Sequence, residues 1–559
     1  MFHLLTRCFI IVLFAVFLAK TSFGQSSFVP LNGDYYHIID REEILNKEFS
    51  PTIYSSFKPY KRSDVVRSME SIGQKSPNYE YIMIDNWEFA TDSLAVSKKP
   101  TARWFYPTKS DMMMVNEDGF LLKASPVLYL SAGSDANNKS APFINTRGFE
   151  MRGIIDNKVG FYSMVGENQA MFPSYASDYI YSNGAVPNEA FWKKFGDQGG
   201  VDFFTARGYV TFQASKHIGI QFGHDKNFIG NGYRSVLLSD FSAPSTFLKV
   251  QTQIWHLQYT NLYTELVADA PWSSFGNNGT EAFPKKFMTA HHLSWNVTEN
   301  FNLGVFEAIM FHRGDSTEAA FEWNYLNPVI FYRSIEQYTG SPDNAIFGVD
   351  FKWNIGGMMQ LYGQGLLDEF SIGELRSGNG WWGNKYSIQL GGKYINAFGI
   401  DRLDLQGEYN MSRPFTYAHE SIFTNFTHYN QPLAHPLGAN FQELVGIARY
   451  QPIHKLFVTA KATYADYGTD PADTVSFGGD PRKDYNLRLA EYDHSTGQGV
   501  GNKQVMLDMN VSYMLRQNLF VDLRHIYRHR TSEDPVLDLT TNFTSFSIRL
   551  NIGVREFSF

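Results

Sequence analysis

From about residue 122 to its C-terminus the chain repeats one pattern: roughly ten residues of apolar/polar alternation, a break, then roughly ten more. Side chains of a β-strand point to opposite faces with period two, so such a segment has one apolar and one hydrophilic face. In residues 401–411, Leu403, Leu405, Tyr409 and Met411 share a face with Gly407. Arg402, Asp404, Gln406, Glu408 and Asn410 share the other. Residues 505–516 set Val505, Leu507, Met509, Val511, Tyr513 and Leu515 against Asp508, Asn510, Ser512 and Arg516. The same split recurs over 344–354 and 546–555.

A half-buried soluble sheet also alternates, so segment length and connections must decide. The segments approach the 9–11 residues that a tilted strand needs to cross hydrocarbon. Short links fall at Asp156-Asn157, 214–216, 298–300, 355–357, 397–399, 451–453 and Gln517-Asn518, with one more placed near Thr260-Asn261. Long connections, such as 412–440 and 467–502, lie between them. Short periplasmic turns alternating with long outer loops predict an antiparallel transmembrane β-barrel of about 18 strands, both ends in the periplasm. Aromatic residues at 16% and charged residues at 19% suit a wet interior inside an apolar wall. The mean hydropathy of −0.28 suits it equally. The net charge of −8, with no basic run, does not imply nucleic acid.

The ends carry their own signals. Arg7, the apolar run from Cys8 to Ala19, and Ser22-Phe23-Gly24 read as a Sec-type signal peptide cut after Gly24, with the outer membrane as destination. We therefore divide the chain into a leader (1–24), a periplasmic extension (25–121) and the barrel (122–559). Cys8 is the only cysteine, so the mature chain has no disulfide or thiolate metal site. In the extension we expect a helix capped around Asp40-Arg-Glu-Glu43, a second capped by Ser63, strand-like pieces at 81–89 and 104–106, and a hairpin at 116–119. No coupling box of an energy-driven transporter is present near its start. The terminal Phe559 suits presentation of the last strand to the barrel assembly machinery. The apolar phase of 548–554 does not reach Phe557 or Phe559, so we expect a bulge or frayed end near Arg555-Glu556. Glu307 falls in phase with Leu303, Val305 and Ile309, and a bulge is expected to turn it inward.

Among groups with chemical potential, His291 and His292 sit on opposite strand faces and cannot share a metal. No spacing marks a catalytic triad, and no cofactor is implied. The carboxylates of 470–484 fit no defined calcium loop. Arg402, Asp404, Glu408, Asp508, Asp522, Arg524, Arg528 and Arg549 lie on the lumen face with Lys393 and Lys461, and their mixed signs should pair and obstruct the pore. The loop aromatics Trp272, Trp323, Tyr325, Trp381, Trp382, Tyr417 and Tyr429 are candidates for stacking on sugar C–H faces or for packing on one another.

Residues 221–244, Gln-Phe-Gly-His-Asp-Lys-Asn-Phe-Ile-Gly-Asn-Gly-Tyr-Arg-Ser-Val-Leu-Leu-Ser-Asp-Phe-Ser-Ala-Pro, followed by Phe247-Leu-Lys-Val250, resemble the signature segment of the Wzi-type capsule assembly proteins. Residues 29–41, Val-Pro-Leu-Asn-Gly-Asp-Tyr-Tyr-His-Ile-Ile-Asp-Arg, are similar to that family's entry into a small helical region. Residues 321–333 and 340–345 look more like its Bacteroidetes branch, some of whose members are named RemB-like gliding motility proteins. The resemblance implies an 18-stranded barrel with a helical periplasmic extension. It further implies non-enzymatic binding of capsular polysaccharide at the cell surface. Alternatives are a surface protein associated with motility or adhesin machinery, and a diffusion porin in the outer-membrane lipid.

Overall fold

The alternating segments close on themselves. The computed structural model describes residues 25–91, 106–137, 141–269, 283–314, 320–328 and 331–559; the leader and Trp272 lie outside the described residues. Eighteen antiparallel strands form the barrel. They begin with β1 (Phe120–Asp135), β2 (Phe143–Ile155), β3 (Val159–Met171), β4 (Gly200–Gln213), β5 (Ile218–Asp225) and β6 (Ser245–Ile254). Next come β7 (Leu257–Val267), β8 (Lys285–Asn296), β9 (Phe301–Phe311), β10 (Asn344–Ile355), β11 (Met359–Leu367) and β12 (Tyr386–Tyr394). The last are β13 (Leu403–Ser412), β14 (Phe441–Ile453), β15 (Leu456–Thr469), β16 (Val500–Arg516), β17 (Leu519–Ser532) and β18 (Leu539–Leu550). β18 pairs with β1, closing the ring with Leu550 opposite Leu128. Below that point the short strand Met113–Glu117 turns through Asp118-Gly119 and pairs with the first half of β1. Closure leaves no sheet edge for lipid to meet.

The alternation reads directly as inside and outside. On β16, Val505, Leu507, Met509, Val511, Tyr513 and Leu515 face outward and are exposed, whereas Met506, Asp508 and Ser512 face inward and are buried. The Asp156-Asn157 turn has both residues at positive φ (51° and 52°), the tight hairpin geometry that asparagine and aspartate tolerate best. Two predicted turns move. Thr260 and Asn261 lie inside β7, and the chain turns instead at Trp255-His256, with Trp255 at φ 58°. No proline or glycine marked that turn. The link predicted at 451–453 falls two residues later, at His454-Lys455.

The region before the barrel is helical: α1 (Tyr35–Asn46), α2 (Arg62–Ile72) and α3 (Tyr79–Asp85). α1 begins before Asp40, α2 begins before Ser63, and neither Asp40 nor Ser63 serves as a cap. α3 replaces the strand expected at 81–89. It has a reason to be helical: Ile82 and Met83 pack onto Ile38, Ile39, Val65, Val66 and Met69 in one buried core. The three helices seat on the periplasmic mouth. Phe49 donates its N–H to Glu299 in one short turn (2.8 Å), and Gln451 binds Asn78 beside another (2.9 Å).

Both sequence anomalies resolve without a bulge. Glu307 sits in unbroken register with His291 on β8 and Phe347 on β10, so it faces outward. A carboxyl-bearing side chain on the lipid face of a barrel is destabilising, the more so the deeper it sits. Residues 320–328 and 331–343 of the outer loop lie over the wall and cover it, and the Arg333 N–H donates to Glu307 Oε1 at 3.3 Å. The C-terminal anomaly is larger. β18 stops at Leu550, and the tail 551–559 leaves the wall for the lumen. Its Phe557 and Phe559 pack against Phe172, Tyr175 and Tyr179 beneath the outer loops. The C-terminus therefore lies inside the barrel, not in the periplasm.

Candidate functional site

Three segments fill the lumen. The first is the N-terminal region, whose residues 25–29 line the inner wall and whose Phe28 stacks edge-on against Tyr209. The second is the outer loop 226–244, which dives inward until Phe228–Ile229 pairs with Phe57–Lys58. Gly230 makes this contact feasible: at φ 136° it adopts a backbone closed to other residues, and its N–H donates to the Ser56 carbonyl at 2.7 Å. The third is the C-terminal tail. A cavity of about 440 Å³ remains among them, lined by groups such as Arg62, Arg207, Asp85 and Glu150.

The predicted lumen charges mostly bind these segments. Asp404 accepts from His37 (2.9 Å) and Arg41 (2.5 Å) of α1. Lys393 meets Asp40 and Lys352 meets Glu43, each at 2.6 Å. Glu408 accepts the backbone N–H groups of Tyr233 (2.7 Å) and Arg234 (3.0 Å) in the inward loop. Arg234 pairs with Glu443 at 2.8 Å and donates to the Ser558 carbonyl at 2.7 Å, joining loop, wall and tail. Asp508 pairs with Arg524 (2.7 Å), which also donates to the Arg555 carbonyl, and Asp522 pairs with Arg549 (3.0 Å). Arg528 faces inward but makes no ion pair among the described residues: it lies over the Tyr175 ring and donates to Gln504. Arg402 does not line the lumen. It occupies the turn before β13 at φ 61° and binds the exposed Asp401. The obstruction is thus mainly folded polypeptide held by wall charges, whereas the sequence suggested side chains closing the pore alone.

Lys58 shows the electrostatic consequence. Burial lowers its ammonium to about 8, against which Asp40 works, and it donates to the Gly230 carbonyl at 3.0 Å.

The candidate loop aromatics separate into different roles. Tyr325 and Tyr417 are fully buried, their hydroxyls given to Asp343 (2.6 Å) and the Val236 carbonyl (2.7 Å). Tyr429 packs edge-on against Phe191 and His428. Trp323 stands exposed on the loop outside the wall. Only Trp381 and Trp382 come together, with ring centroids 6.0 Å apart on the outer rim where loops 368–385, 413–440 and 470–499 meet.

The sequence did not reveal what surrounds them. Trp382 Nε1 donates to Glu491 (2.7 Å), the Arg488 guanidinium lies 4.0 Å above its ring, and Tyr485 packs beside it at 4.9 Å. Lys385 sits over both Trp382 and Tyr485. Backbone bonds stitch the two loops together: Trp382 N–H to the Glu491 carbonyl at 3.0 Å, and His494 N–H to the Gly380 carbonyl at 2.9 Å. Hydrogen bonding from Arg488 lowers the Glu491 carboxyl. Burial raises the Tyr485 phenol to about 12, with Glu369 adding to the rise. The result is a partly exposed aromatic cluster in which the Arg488–Glu491 ion pair (2.5 Å) covers part of the Trp382 face and Lys385 lies over Trp382 and Tyr485. Nothing at Arg488 or Glu491 in the sequence marked them, because they approach the tryptophans only through the meeting of two long loops.

A closed, apolar-walled barrel with its lumen packed from both sides defines the class: an outer-membrane-type β-barrel built to be filled. Its fold is similar to that of Wzi, an outer-membrane protein of Escherichia coli involved in group 1 capsule assembly and characterised as a carbohydrate-binding β-barrel. The superposition has a TM-score of 0.56 at 11% identity and covers 94% of this chain and 100% of that one. Pseudomonas aeruginosa OprD also matches, at a TM-score of 0.42 and 10% identity over 77% of this chain and 94% of its own. No family model matches the sequence. No curated protein matches it.

Proposed function

We propose that the protein is a non-enzymatic outer-membrane barrel that binds surface polysaccharide at its outer rim and takes part in organising a capsule. The observation that carries this reading is the Trp381–Trp382–Tyr485 cluster with the Arg488–Glu491 ion pair against Trp382. Aromatic faces stack on the C–H face of a sugar, while a fixed guanidinium and carboxylate hold hydroxyls in place. The filled lumen supports the same reading, since a barrel crossed by three ordered segments has little use as a diffusion pore. The fold likeness to a carbohydrate-binding barrel supports it too. The motility or adhesin alternative has no comparable feature behind it.

The test is binding of purified capsular polysaccharide from the native strain to cells carrying the wild type, Trp382→Ala or Arg488→Ala. Retention should fall at least tenfold in either variant, about the loss of one stacking or charge-assisted contact. Retention unchanged in both, with surface display intact, rejects the rim as the binding site.

A further inference from the structure

The outer wall over β7 to β10 is not a plain lipid surface. On β8, outward-facing Leu293 and Trp295 are exposed, but the next outward positions toward the outside, His291, Thr289 and Phe287, are buried. Inward-facing His292 fixes the phase, with its ring nitrogen 2.7 Å from Asp350 in the lumen. On β7, outward-facing Asn261 is likewise buried. A polar patch (Asn261, Thr289, His291 and Glu307) thus starts only four residues from Trp295, well within the 9–11 residues of a crossing strand.

What covers it is the loop between β9 and β10. The 3-10 turn Trp323–Leu326 and the helix Tyr332–Thr339 lie flat on the wall. Tyr325, Tyr332 and Ile335 pack on Phe287, Ile309 and Phe311. Tyr332 hydrogen-bonds His291, and Tyr263 donates to the Leu326 carbonyl at 3.0 Å. Arg313 fastens the base through a bidentate pair with Asp343 at 2.7 and 2.6 Å. The opposite face of this flap exposes three large rings, Trp323 at 66%, Phe331 at 67% and Tyr338 at 91%, beside Asn324, Asn327, Ser334 and an Arg333 guanidinium paired with Glu336. These rings continue the exposed apolar belt of the neighbouring strand, where Phe347 and Val349 face outward.

We propose that residues 320–328 and 331–340 form a flap embedded in the outer leaflet, in which Trp323, Phe331 and Tyr338 contact lipid acyl chains in place of the polar wall beneath. Aromatic side chains carried on a short helix parallel to a membrane surface partition into its interfacial zone. The inference rests on the reading of the barrel as membrane-spanning, and it adds a lateral lipid contact that the strands alone do not supply.

The experiment places a nitroxide label at Trp323→Cys, Phe331→Cys or Tyr338→Cys, one at a time, in the Cys8→Ser protein reconstituted into dimyristoylphosphatidylcholine vesicles. Collision rates with oxygen and with a water-soluble nickel chelate are compared with labels at Leu507→Cys on the belt and Val536→Cys on an outer loop. The expected oxygen-to-nickel ratio at all three flap sites equals that at 507 and is several-fold higher than at 536. A ratio like that at 536 puts the flap in water and overturns the proposal. Exclusion from both reagents means that a second copy or another protein covers it, and overturns it equally. If 507 itself reports water, the membrane-spanning reading has failed first. A drop in quenching by bromine-labelled lipid on Trp323→Phe, against the quenching that the belt residues Trp295 and Trp353 retain, gives a readout free of cysteine labelling.

Discussion

Phe57 of the N-terminal region and Ile229 of an outer loop are paired partners in a two-stranded sheet inside the barrel. One reaches that point from the periplasmic mouth and the other from the cell surface. The lumen is therefore crossed by a continuous hydrogen-bonded connection, anchored to the wall by Lys352, Lys393, Asp404, Glu408 and Glu443.

The Lys352–Glu43 pair is almost wholly buried. Lys352→Ala strands the Glu43 carboxylate without its partner and should cost about 3–5 kcal/mol. Replacing both by methionine should cost far less, because no unpaired charge remains. Urea midpoints of the refolded barrel in detergent check this, and equal losses in the two variants would contradict it.

Arg234 joins three bodies at once. Arg234→Ala leaves Glu443 with only His435 (2.8 Å) and Asn410 (3.1 Å) as polar partners and frees the inward loop from the tail. Added protease should cut within 226–244 in this variant and spare the wild type. Cleavage by mass spectrometry is the readout.

Phe559 packs inside the lumen on Tyr179 at 4.5 Å, and its main-chain oxygen accepts from Gln504 Nε2 at 2.9 Å. Phe559→Ala should cost about 3–5 kcal/mol, and Phe559→Leu clearly less. The temperature at which the folded, fast-migrating band disappears in a heated detergent gel measures both.

His428 carries a pH dependence. Its Nδ1 accepts the Val267 N–H (2.9 Å) and its Nε2 lies 3.2 Å from the Pro244 carbonyl, so the neutral ring carries its proton on Nε2. Burial lowers this imidazole from 6.5 to about 3. Below the unfolded value the unfolded state binds a proton that the folded state refuses. This group's contribution is thus present above pH 6.5 and is lost as the pH falls toward about 3. Ring NMR should show no His428 titration between about pH 7 and pH 5; a midpoint near 6.5 would contradict the burial account.

The wall was legible in the sequence because period-two patterning is enforced by lipid on one side and water on the other. β16 could be read residue by residue and β13 from Leu403 onward, whereas the alternation read over 546–555 ran past the end of β18 at Leu550. The interior was not legible, since its contacts join distant segments. Asp40 reads as a helix cap but spans the lumen mouth to Lys393, and the aromatic tail reads as a strand end but is a lumen plug. Glu307 was visible as an anomaly. Its resolution required a loop folded over the outside of the barrel, which alternation within a strand cannot encode. At the rim, Trp381 and Trp382 stood out by residue type, whereas Arg488 and Glu491 emerged only once two loops had met.

The central claim is that the lumen is filled and the function lies at the outer face. Single-channel recording of the purified protein in a planar bilayer tests it most directly. The wild type should give a flat baseline, with steady openings only when the N-terminal region 25–91, residues 228–238 and the tail 551–559 are all removed. Steady, uniform openings from the wild type would contradict it.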